Sequence, residues 1–440
     1  MQHSSFIVFR ARVRRALRQF TWGGDWAISL PAQIKHNLSW FFYDGLFASA
    51  SDNIAITYLV LYILALGATR TQIGLMSSLS SLVVALILLP GALLVERFGH
   101  RKPITVFFGG GVARLMLLVL ALLPFFLGGQ ALILAAIALS ITRDINGNFA
   151  FPAWMSVAGE IVPMEGRGRF FGSRNFIMGI AGMLTILLVG ELITQTSSPQ
   201  GYQIALALAF GLGAFSTYSF SRLQDPRGNA PIPVEGTLSF RAMLNDIKVH
   251  PAFLSLGLVM VVWNFSINIA GPFFNVYMVQ NMKFTATMVG IQSIVSTVAG
   301  LIVQRRIGRL SDRLGSRKVM LISMILIPLL PAGWVFVTQF WHVIVLNSFG
   351  GMAWGAFNLV SFNFLLSLMP DSQRARYSAI YQIMITLSLA VGAAVGSWIV
   401  TQWGYHAIFA CSAIGRVVAA FLFARWLPAQ VERRIEPAEA

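Results

Sequence analysis

Long apolar stretches alternate with short polar ones along almost the whole chain. Each long stretch has about 20 or more mostly apolar residues, the length that a helix needs to cross a hydrocarbon core about 30 Å thick. Twelve such stretches occur, at residues 40–66, 72–95, 103–127, 130–160, 170–193, 203–223, 252–280, 286–307, 319–338, 342–369, 376–402 and 406–427. The pattern predicts an all-α membrane protein with 12 transmembrane helices.

Composition supports a lipid environment and excludes most soluble classes. Of 440 residues, 56% are hydrophobic and only 11% are charged, against roughly 25% charged in an ordinary globular domain. The mean hydropathy is +0.72. The chain carries no nucleotide-binding loop and no cluster of metal-ligand residues between the apolar stretches. We therefore expect neither an enzyme nor an ATP-driven pump, and no cofactor or metal.

The basic residues predict the orientation of the helices. Of the 32 Lys and Arg residues, 27 fall in the segments that lie on the same side as the two termini, whereas only Arg70 and Lys283 fall in the opposite loops. Because Lys and Arg concentrate in cytoplasmic loops, both termini are predicted to be cytoplasmic, in the plasma (inner) membrane. The formal net charge of +16 is spread over alternate loops, and so we do not expect a nucleic-acid partner.

The N-terminal segment, residues 1–39, is basic. Its first 20 residues have five arginines and no acid, a composition that fits an interfacial amphipathic helix, a disordered segment or an organellar transit peptide. The single cysteine, Cys411, lies in an apolar stretch and predicts no intramolecular disulfide.

The chain contains an internal repeat. At a constant offset of 216, Gly74, Ser77, Ser80, Arg97, Gly99, Arg101 and Lys102 correspond to Gly290, Ser293, Ser296, Arg313, Gly315, Arg317 and Lys318, and Glu96 corresponds to Asp312. The repeat predicts two six-helix bundles, at residues 40–223 and 251–427. Residues 224–250 would form a cytoplasmic linker, and residues 428–440 a cytoplasmic tail.

One repeated segment resembles a known motif. The run from Gly308 to Lys318, GRLSDRLGSRK, is similar to motif A of the major facilitator superfamily, G-x-L-x-D-R-x-G-R-R/K, which follows helices 2 and 8. The first copy has Ala92 in place of the leading glycine. The resemblance implies a secondary transporter that works by alternating access. It also implies a cytoplasmic gate formed by Glu96, Arg97, Gly99, Arg101, Asp312, Arg313, Gly315 and Arg317, with ordinary charge anchoring at the membrane surface as the alternative.

Helix 4 carries a second resemblance. Its run Arg143-Asp144-Ile-Asn146-Gly147 is similar to motif B of the same superfamily, R-x-x-Q-G, with asparagine in place of glutamine. The resemblance implies a role for Arg143 in proton coupling, through a pair with Asp52 or Asp144 across a cavity. Neighbouring side chains on a helix project about 100° apart, which argues against a shared direction for Arg143 and Asp144.

Ionisable residues within predicted helices are costly in lipid and usually face a partner or a wet cavity. In helix 1, Asp44 and Asp52 are about 80° apart around the axis, and Tyr62 lies near the same face. We expect this face to line a cavity, with solvation at the cytoplasmic interface as the alternative for Asp44. Arg114 and Arg416 fall in helices 3 and 12, which the family places at the outside of each bundle, and so we expect them to snorkel or to contact a neighbouring helix.

The second half offers amide and aromatic side chains instead of acids. Those predicted to line a substrate cavity, with Trp154 of helix 4, are Asn264, Asn268, Asn275, Trp354 and Asn358. Hydrogen bonding between helices is the alternative for the amides. Pro272 follows Gly271 and predicts a kink in helix 7, whereas Gly392 and Gly396 predict close helix packing.

Together these features predict a secondary active transporter for a small organic solute, coupled to protons and monomeric in the lipid bilayer. A sensor, a lipid-handling protein or an assembly factor with the same fold is the alternative. The residues determine neither the solute nor the direction of transport.

Overall fold

The computed structural model of the protein describes residues 21–22, 24–225, 228, 250–369 and 374–427. The predicted N-terminal amphipathic segment, most of the linker and the C-terminal tail lie outside these residues. Over the described part of the chain the architecture is helical, as predicted.

Twelve long helices follow one another in the described residues. The first six are α1 (Ala32–Ala65), α2 (Arg70–Phe98), α3 (Arg101–Phe125), α4 (Gly129–Ile161), α5 (Arg167–Gln195) and α6 (Gln200–Ser221). The second six are α7 (Pro251–Gln280), α8 (Ala286–Leu314), α9 (Ser316–Trp334), α10 (Phe340–Ser367), α11 (374–403) and α12 (405–426). The predicted all-α fold with 12 helices is confirmed.

Ten helical segments of the described residues are long and apolar enough to cross a membrane on length and composition alone. One of them, Ile380–Trp426, contains part of α11 and all of α12. The two helices meet at Gly404, where a φ of 79° interrupts the helical geometry. The helix α4 is not among the ten; it carries Arg143, Asp144, Asn146 and Asn148 in its centre. These polar residues lower the mean hydropathy of α4 and so keep it out of the ten. They are also the first sign that α4 has a function.

Two helix boundaries differ clearly from the prediction. α1 begins at Ala32, after Pro31 at its N-cap, and not at residue 40. α8 continues to Leu314, seven residues beyond its predicted end, where Gly315 adopts a φ of 83°. In both cases the helix continues into polar residues beyond its apolar stretch. The backbone hydrogen bonds of a helix do not require apolar side chains.

Two helices depart from regular geometry. α7 is interrupted at Gly271 and Pro272, which confirms the predicted kink. In α3, residues Thr105–Val112 form a π-helix that contains three consecutive glycines, Gly109 to Gly111. A Cβ atom on Gly110 would overlap the side chain of Thr217 in α6. The glycines therefore allow α3 and α6 to approach closely at this level.

The chain divides into two compact units. Unit 1 comprises Met1–Leu66 and Ile87–Val234, and unit 2 comprises Gly67–Leu86 and Glu235–Ala440. By its contacts the first part of α2, up to Leu86, belongs to unit 2; the bounds of the two six-helix bundles stay a prediction. There the Thr71 hydroxyl lies 3.1 Å from that of Thr401, and Gly74 packs against Ser397.

Each unit has a core of its own. In unit 1, Phe41, Val157 and Phe170 are fully buried in one cluster. In unit 2, Trp263 and Val360 are fully buried in another. Apolar side chains outside these cores, such as Leu188 in α5, remain exposed; lipid is the medium in which such surfaces are stable.

Close packing of α7 on α11 depends on small residues, as predicted. A Cβ on Gly392 would overlap the carbonyl oxygen of Phe265, and one on Gly396 would overlap that of Ile269.

We expect Gly396→Val to lower the free energy of unfolding by about 3 kcal/mol, because the neighbour is rigid backbone. Gly179→Val is the matched control, since a Cβ there meets nothing within 4 Å. Thermal unfolding of the two purified variants tests the prediction, and equal midpoints would contradict it.

Candidate functional site

Unit 1 encloses a cavity of about 610 Å³, within the range of sites for small organic ligands. Its walls come from α1, α3, α4, α5 and α6. Ile56, Phe151, Trp154, Met178 and Phe220 contribute apolar surface. Six ionisable side chains also line it, three carboxylates and three guanidinium groups: Asp44, Asp52, Asp144, Arg114, Arg143 and Arg174. The formal charge of this set, three minus three, is zero.

Asp52 of α1 lies between two arginines. Arg114 of α3 donates to both of its carboxylate oxygens, from Nη1 to Oδ1 and from Nη2 to Oδ2, the latter at 3.2 Å. Arg143 of α4 approaches from another side, with Nη2 at 3.8 Å from Oδ1. The Asp52 side chain is 40% exposed, whereas those of Arg114 and Arg143 are 13% and 18% exposed. The carboxylate thus faces the cavity, and the guanidinium groups lie behind it.

Arg143 also pairs with its neighbour in sequence. Its Nη1 donates to Oδ1 of Asp144 at 3.0 Å, although the two Cβ atoms project in different directions. The long arginine side chain bends far enough for its guanidinium to reach both Asp52 and Asp144. The expectation from helical angles therefore underestimated the reach of this side chain. Arg143 connects the carboxylates of α1 and α4.

The predicted peripheral position of Arg114 is wrong. Arg114 lines the cavity, where its Nη1 also donates to the Ser51 hydroxyl at 3.0 Å. It follows the π-helical segment of α3, and a π-helix advances by a smaller angle per residue than an α-helix. The side-chain directions after this segment differ from those of a regular helix. The run of three glycines was the sequence signal for this irregularity.

A second ion pair is buried beside the cavity. Nη2 of Arg174 in α5 lies 3.5 Å from Oδ2 of Asp44, and Ser216 of α6 donates to Oδ1 of Asp44 at 2.8 Å. Arg174 further donates from Nε to the Phe41 carbonyl at 3.1 Å. Asp44 is therefore not solvated at an interface, the alternative that the sequence left open. Its side chain and that of Arg174 are 6% and 4% exposed.

Sequence reasoning missed the role of Arg174. It lies inside the predicted fifth helix, but it was counted among the 27 basic residues on the side of the termini. A glycine on the facing helix provided a further signal, because a Cβ on Gly45 would overlap the guanidinium of Arg174. The glycine of α1 thus leaves the space in which Arg174 reaches Asp44.

Two other residues predicted in unit 1 do not line the cavity. Tyr62 is fully buried and donates its hydroxyl to the Leu120 carbonyl at 2.7 Å. Asn146 donates its amide to the Thr142 carbonyl of its own helix at 2.8 Å. Both satisfy their polar groups within the bundle. Trp154, in contrast, is on the cavity wall.

The residues predicted in unit 2 form no part of this cavity. Asn268 donates to the Leu389 carbonyl of α11 at 2.7 Å, the interhelical bond that was the alternative interpretation. Asn264 donates to Met260 of its own helix at 2.8 Å, and Trp354 packs beside Trp263 with ring centroids 6.2 Å apart. The remaining two differ in exposure: Asn275 is half-buried and Asn358 is exposed.

The repeated motif has equivalent geometry in both units. Gly99 and Gly315 adopt positive φ angles of 67° and 83°, a conformation that glycine adopts at little cost. The arginines two residues later are buried and anchor the helix that follows. Arg101 pairs with Glu160 at 3.0 Å and with Asp225; Arg317 donates to the backbone carbonyl of Leu427, just beyond α12.

These contacts change the interpretation of the predicted gate. Arg101 and Arg317 each contact residues of their own unit, which fits a structural anchor. Arg313 is exposed. The side chains of Glu96, Arg97 and Asp312 lie outside the described part of the structure, and their gating role stays a prediction.

Comparison with known proteins identifies one family. The model described as Major Facilitator Superfamily matches residues 45–307 and 256–440. Among curated proteins, the Multi-drug resistance efflux pump PmrA of Streptococcus pneumoniae is 25% identical over 394 residues, covering 85% of this chain and 92% of that protein. The Multidrug resistance protein MdtG of Salmonella choleraesuis is 25% identical over 393 residues, covering 87% and 93%.

Solved structures show a similar fold. A bacterial homologue of the iron transporter ferroportin, in an inward-facing state, superposes with a TM-score of 0.71 at 14% identity, covering 90% of this chain and 99% of that one. A mutant of the nucleoside transporter NupG superposes with a TM-score of 0.70 at 13% identity, covering 88% and 99%. At such identities the likeness concerns the fold alone.

Proposed function

Because the chain belongs to the major facilitator superfamily and is a multi-pass membrane transporter, we propose that it exports a cationic organic solute in exchange for protons. The observation that carries this proposal is the position of Asp52, exposed to the cavity and held between Arg114 and Arg143. The direction of transport is supported by the two relatives that are named efflux pump and multidrug resistance protein.

The charge balance of the cavity links the proton to the solute. With all six side chains ionised the set is neutral, and a proton on Asp52 gives it a charge of +1. The same proton removes the negative partner of Arg114 and Arg143. A cationic solute and a proton therefore compete for one site, the condition that antiport requires. The apolar wall around Phe151 and Trp154 binds the organic part of the solute, and aromatic rings attract cations.

Alternating access requires only that proton and solute stabilise different states. In the solute-bound state, the carboxylate of Asp52 faces the cation on one side. Arg114 and Arg143 bind the other side of the same carboxylate. In the protonated state, the freed guanidinium groups of Arg114 and Arg143 turn to Ser51 and Asp144, their other partners. This exchange of partners supplies the differential free energy between the two states.

Flux in reconstituted vesicles tests the proposal. We expect purified protein to accumulate a fluorescent organic cation against its gradient when a pH gradient is imposed, and not to accumulate a neutral analogue of the same shape. The rate should fall to that of protein-free vesicles when a protonophore is added. Saturable binding of the cation without flux would instead establish the sensor alternative and overturn the transport proposal.

The proposed location is the plasma membrane, with both termini cytoplasmic. With Arg174 assigned to the cavity, 26 Lys and Arg residues on the side of the termini, against two in the opposite loops, support this orientation. Protease-accessible tags at the N-terminus and the C-terminus should both be cleaved in inside-out vesicles and both be protected in right-side-out vesicles. Cleavage of the two tags from opposite sides would contradict the orientation.

A further inference from the structure

Arg416 of α12 is a buried arginine without a counter-charge. It is 3% exposed, and its Nε has no hydrogen-bond partner. No hydrogen bond or ion pair joins it to another of the residues that the structure describes. Arg114, Arg143 and Arg174 in unit 1 each have a carboxylate partner. Of the two expectations for Arg416, snorkelling towards solvent is excluded by this burial, and a position against a neighbouring helix remains.

The side chains that the structure describes in unit 2 include no acid that could pair with Arg416. Across residues 250–369 and 374–427, the sequence has one carboxylate, Asp312, which lies two residues before the end of α8. An isolated buried guanidinium is strongly unfavourable, and buried charges are normally paired. The compensating negative charge must therefore come from outside the described side chains of unit 2.

A second buried donor lies on the facing helix, α7. Trp263 of α7 is fully buried, and its indole Nε1 has no hydrogen-bond partner. The contacts between α7 and α12 run antiparallel: the Tyr405 hydroxyl bonds to Gln280, the ring of Phe409 stacks on Phe274, and the Ser412 hydroxyl donates to the Ser266 carbonyl at 2.6 Å. One further turn along both helices places Trp263 opposite Arg416.

The two helices approach closely here. A Cβ on Gly415 would overlap the Ser266 hydroxyl, so that α7 and α12 are in direct contact one residue before Arg416 and leave little room beside this contact. A ligand shared by Arg416 and Trp263 must therefore be small, accept hydrogen bonds from two N–H groups and carry negative charge. Water meets the first two conditions but leaves the guanidinium uncompensated.

We propose that unit 2 binds a small monovalent inorganic anion, with chloride as the physiological ion, between the guanidinium of Arg416 and the indole N–H of Trp263. The anion neutralises the buried charge and accepts hydrogen bonds from the two unpartnered N–H groups, Nε of Arg416 and Nε1 of Trp263. It is distinct from the proton and solute chemistry of the unit 1 cavity, because none of the residues that hold it lines that cavity. Its role is to stabilise the packing of α7 on α12.

Halide dependence of stability in the unmodified full-length protein is the first test. At constant sodium concentration and ionic strength, replacing gluconate by chloride should raise the midpoint of thermal unfolding in detergent by about 2 °C or more, and the shift should saturate, as expected for a ligand that binds only the folded state. Bromide should act in the same way. Equal midpoints in chloride, bromide and gluconate would overturn the proposal.

Variants localise the effect. Arg416→Met should abolish the chloride-dependent shift, and Trp263→Phe should at least halve it. Arg425→Met is the matched control, since Arg425 is an exposed arginine of the same helix; it should keep the full shift. A saturable shift of unchanged size in Arg416→Met would overturn the assignment. Should that variant not fold, anomalous scattering from bromide soaked into crystals of the unmodified protein decides: a peak between the two side chains supports the site, and no peak there refutes it.

Discussion

Replacing Asp52 by Asn is expected to reduce proton-driven solute transport to the level of vesicles without protein. Asparagine keeps the size of the side chain but can neither bind a proton in the relevant range nor alternate between two charge states. It also leaves Arg114 and Arg143 permanently without this negative partner, as in the protonated state. The measurement is accumulation of the organic cation in proteoliposomes under an imposed pH gradient.

Two controls separate proton coupling from general damage. Glu191→Gln changes an exposed carboxylate at the other end of unit 1 and should leave the rate unchanged. Asp52→Glu keeps an ionisable group and should restore part of the driven flux. If Asp52→Asn still accumulates the cation as fast as the unmodified protein, Asp52 does not carry the proton.

Replacing Arg174 by Met should produce a large loss of stability in unit 1. Asp44 would keep the hydrogen bond from Ser216 but, among the described residues, would have no cation within 4 Å. Removal of one partner from a buried ion pair costs about 3–5 kcal/mol, because the other charge is left uncompensated. Thermal unfolding and the monodisperse fraction after extraction in detergent measure the loss.

The double variant gives this prediction its specificity. In Asp44→Asn with Arg174→Met neither charge of the pair is left buried, and we expect stability to recover by more than half of the loss. Arg169→Met is the matched control, since Arg169 is exposed on the same helix and should matter little. A double variant as unstable as Arg174→Met alone would show that packing, and not charge, is responsible.

The sequence predicted the helices well because the lipid core imposes a simple requirement. Every backbone polar group must be bonded within its own segment, so that an apolar stretch of sufficient length becomes a helix. Errors occurred where this requirement ends, at the start of α1 and the end of α8. The kink at Pro272 was also predictable, because proline lacks the N–H that an α-helix requires.

The candidate site was predicted only in part. Asp44, Asp52, Arg143 and Asp144 were selected because ionisable residues are rare in such helices, and Trp154 because tryptophan suits an organic ligand; all five line the cavity. Arg114 and Arg174 were assigned to the periphery or to a loop. The position of Arg114 depends on the π-helical turn of α3, and that of Arg174 on the space beside Gly45. A helical wheel with a constant angle per residue shows neither feature.

The sequence by itself determined that this is a membrane protein of 12 helices in two related halves, since hydropathy, charge placement and the repeat are properties of the chain alone. Only the tertiary structure decided which charges meet. Asp52 pairs with Arg114, 62 positions away, and Asp44 with Arg174, 130 positions away. The physical reason is that lipid fixes each helix locally, whereas ion pairing depends on the rotation and packing of helices distant in sequence.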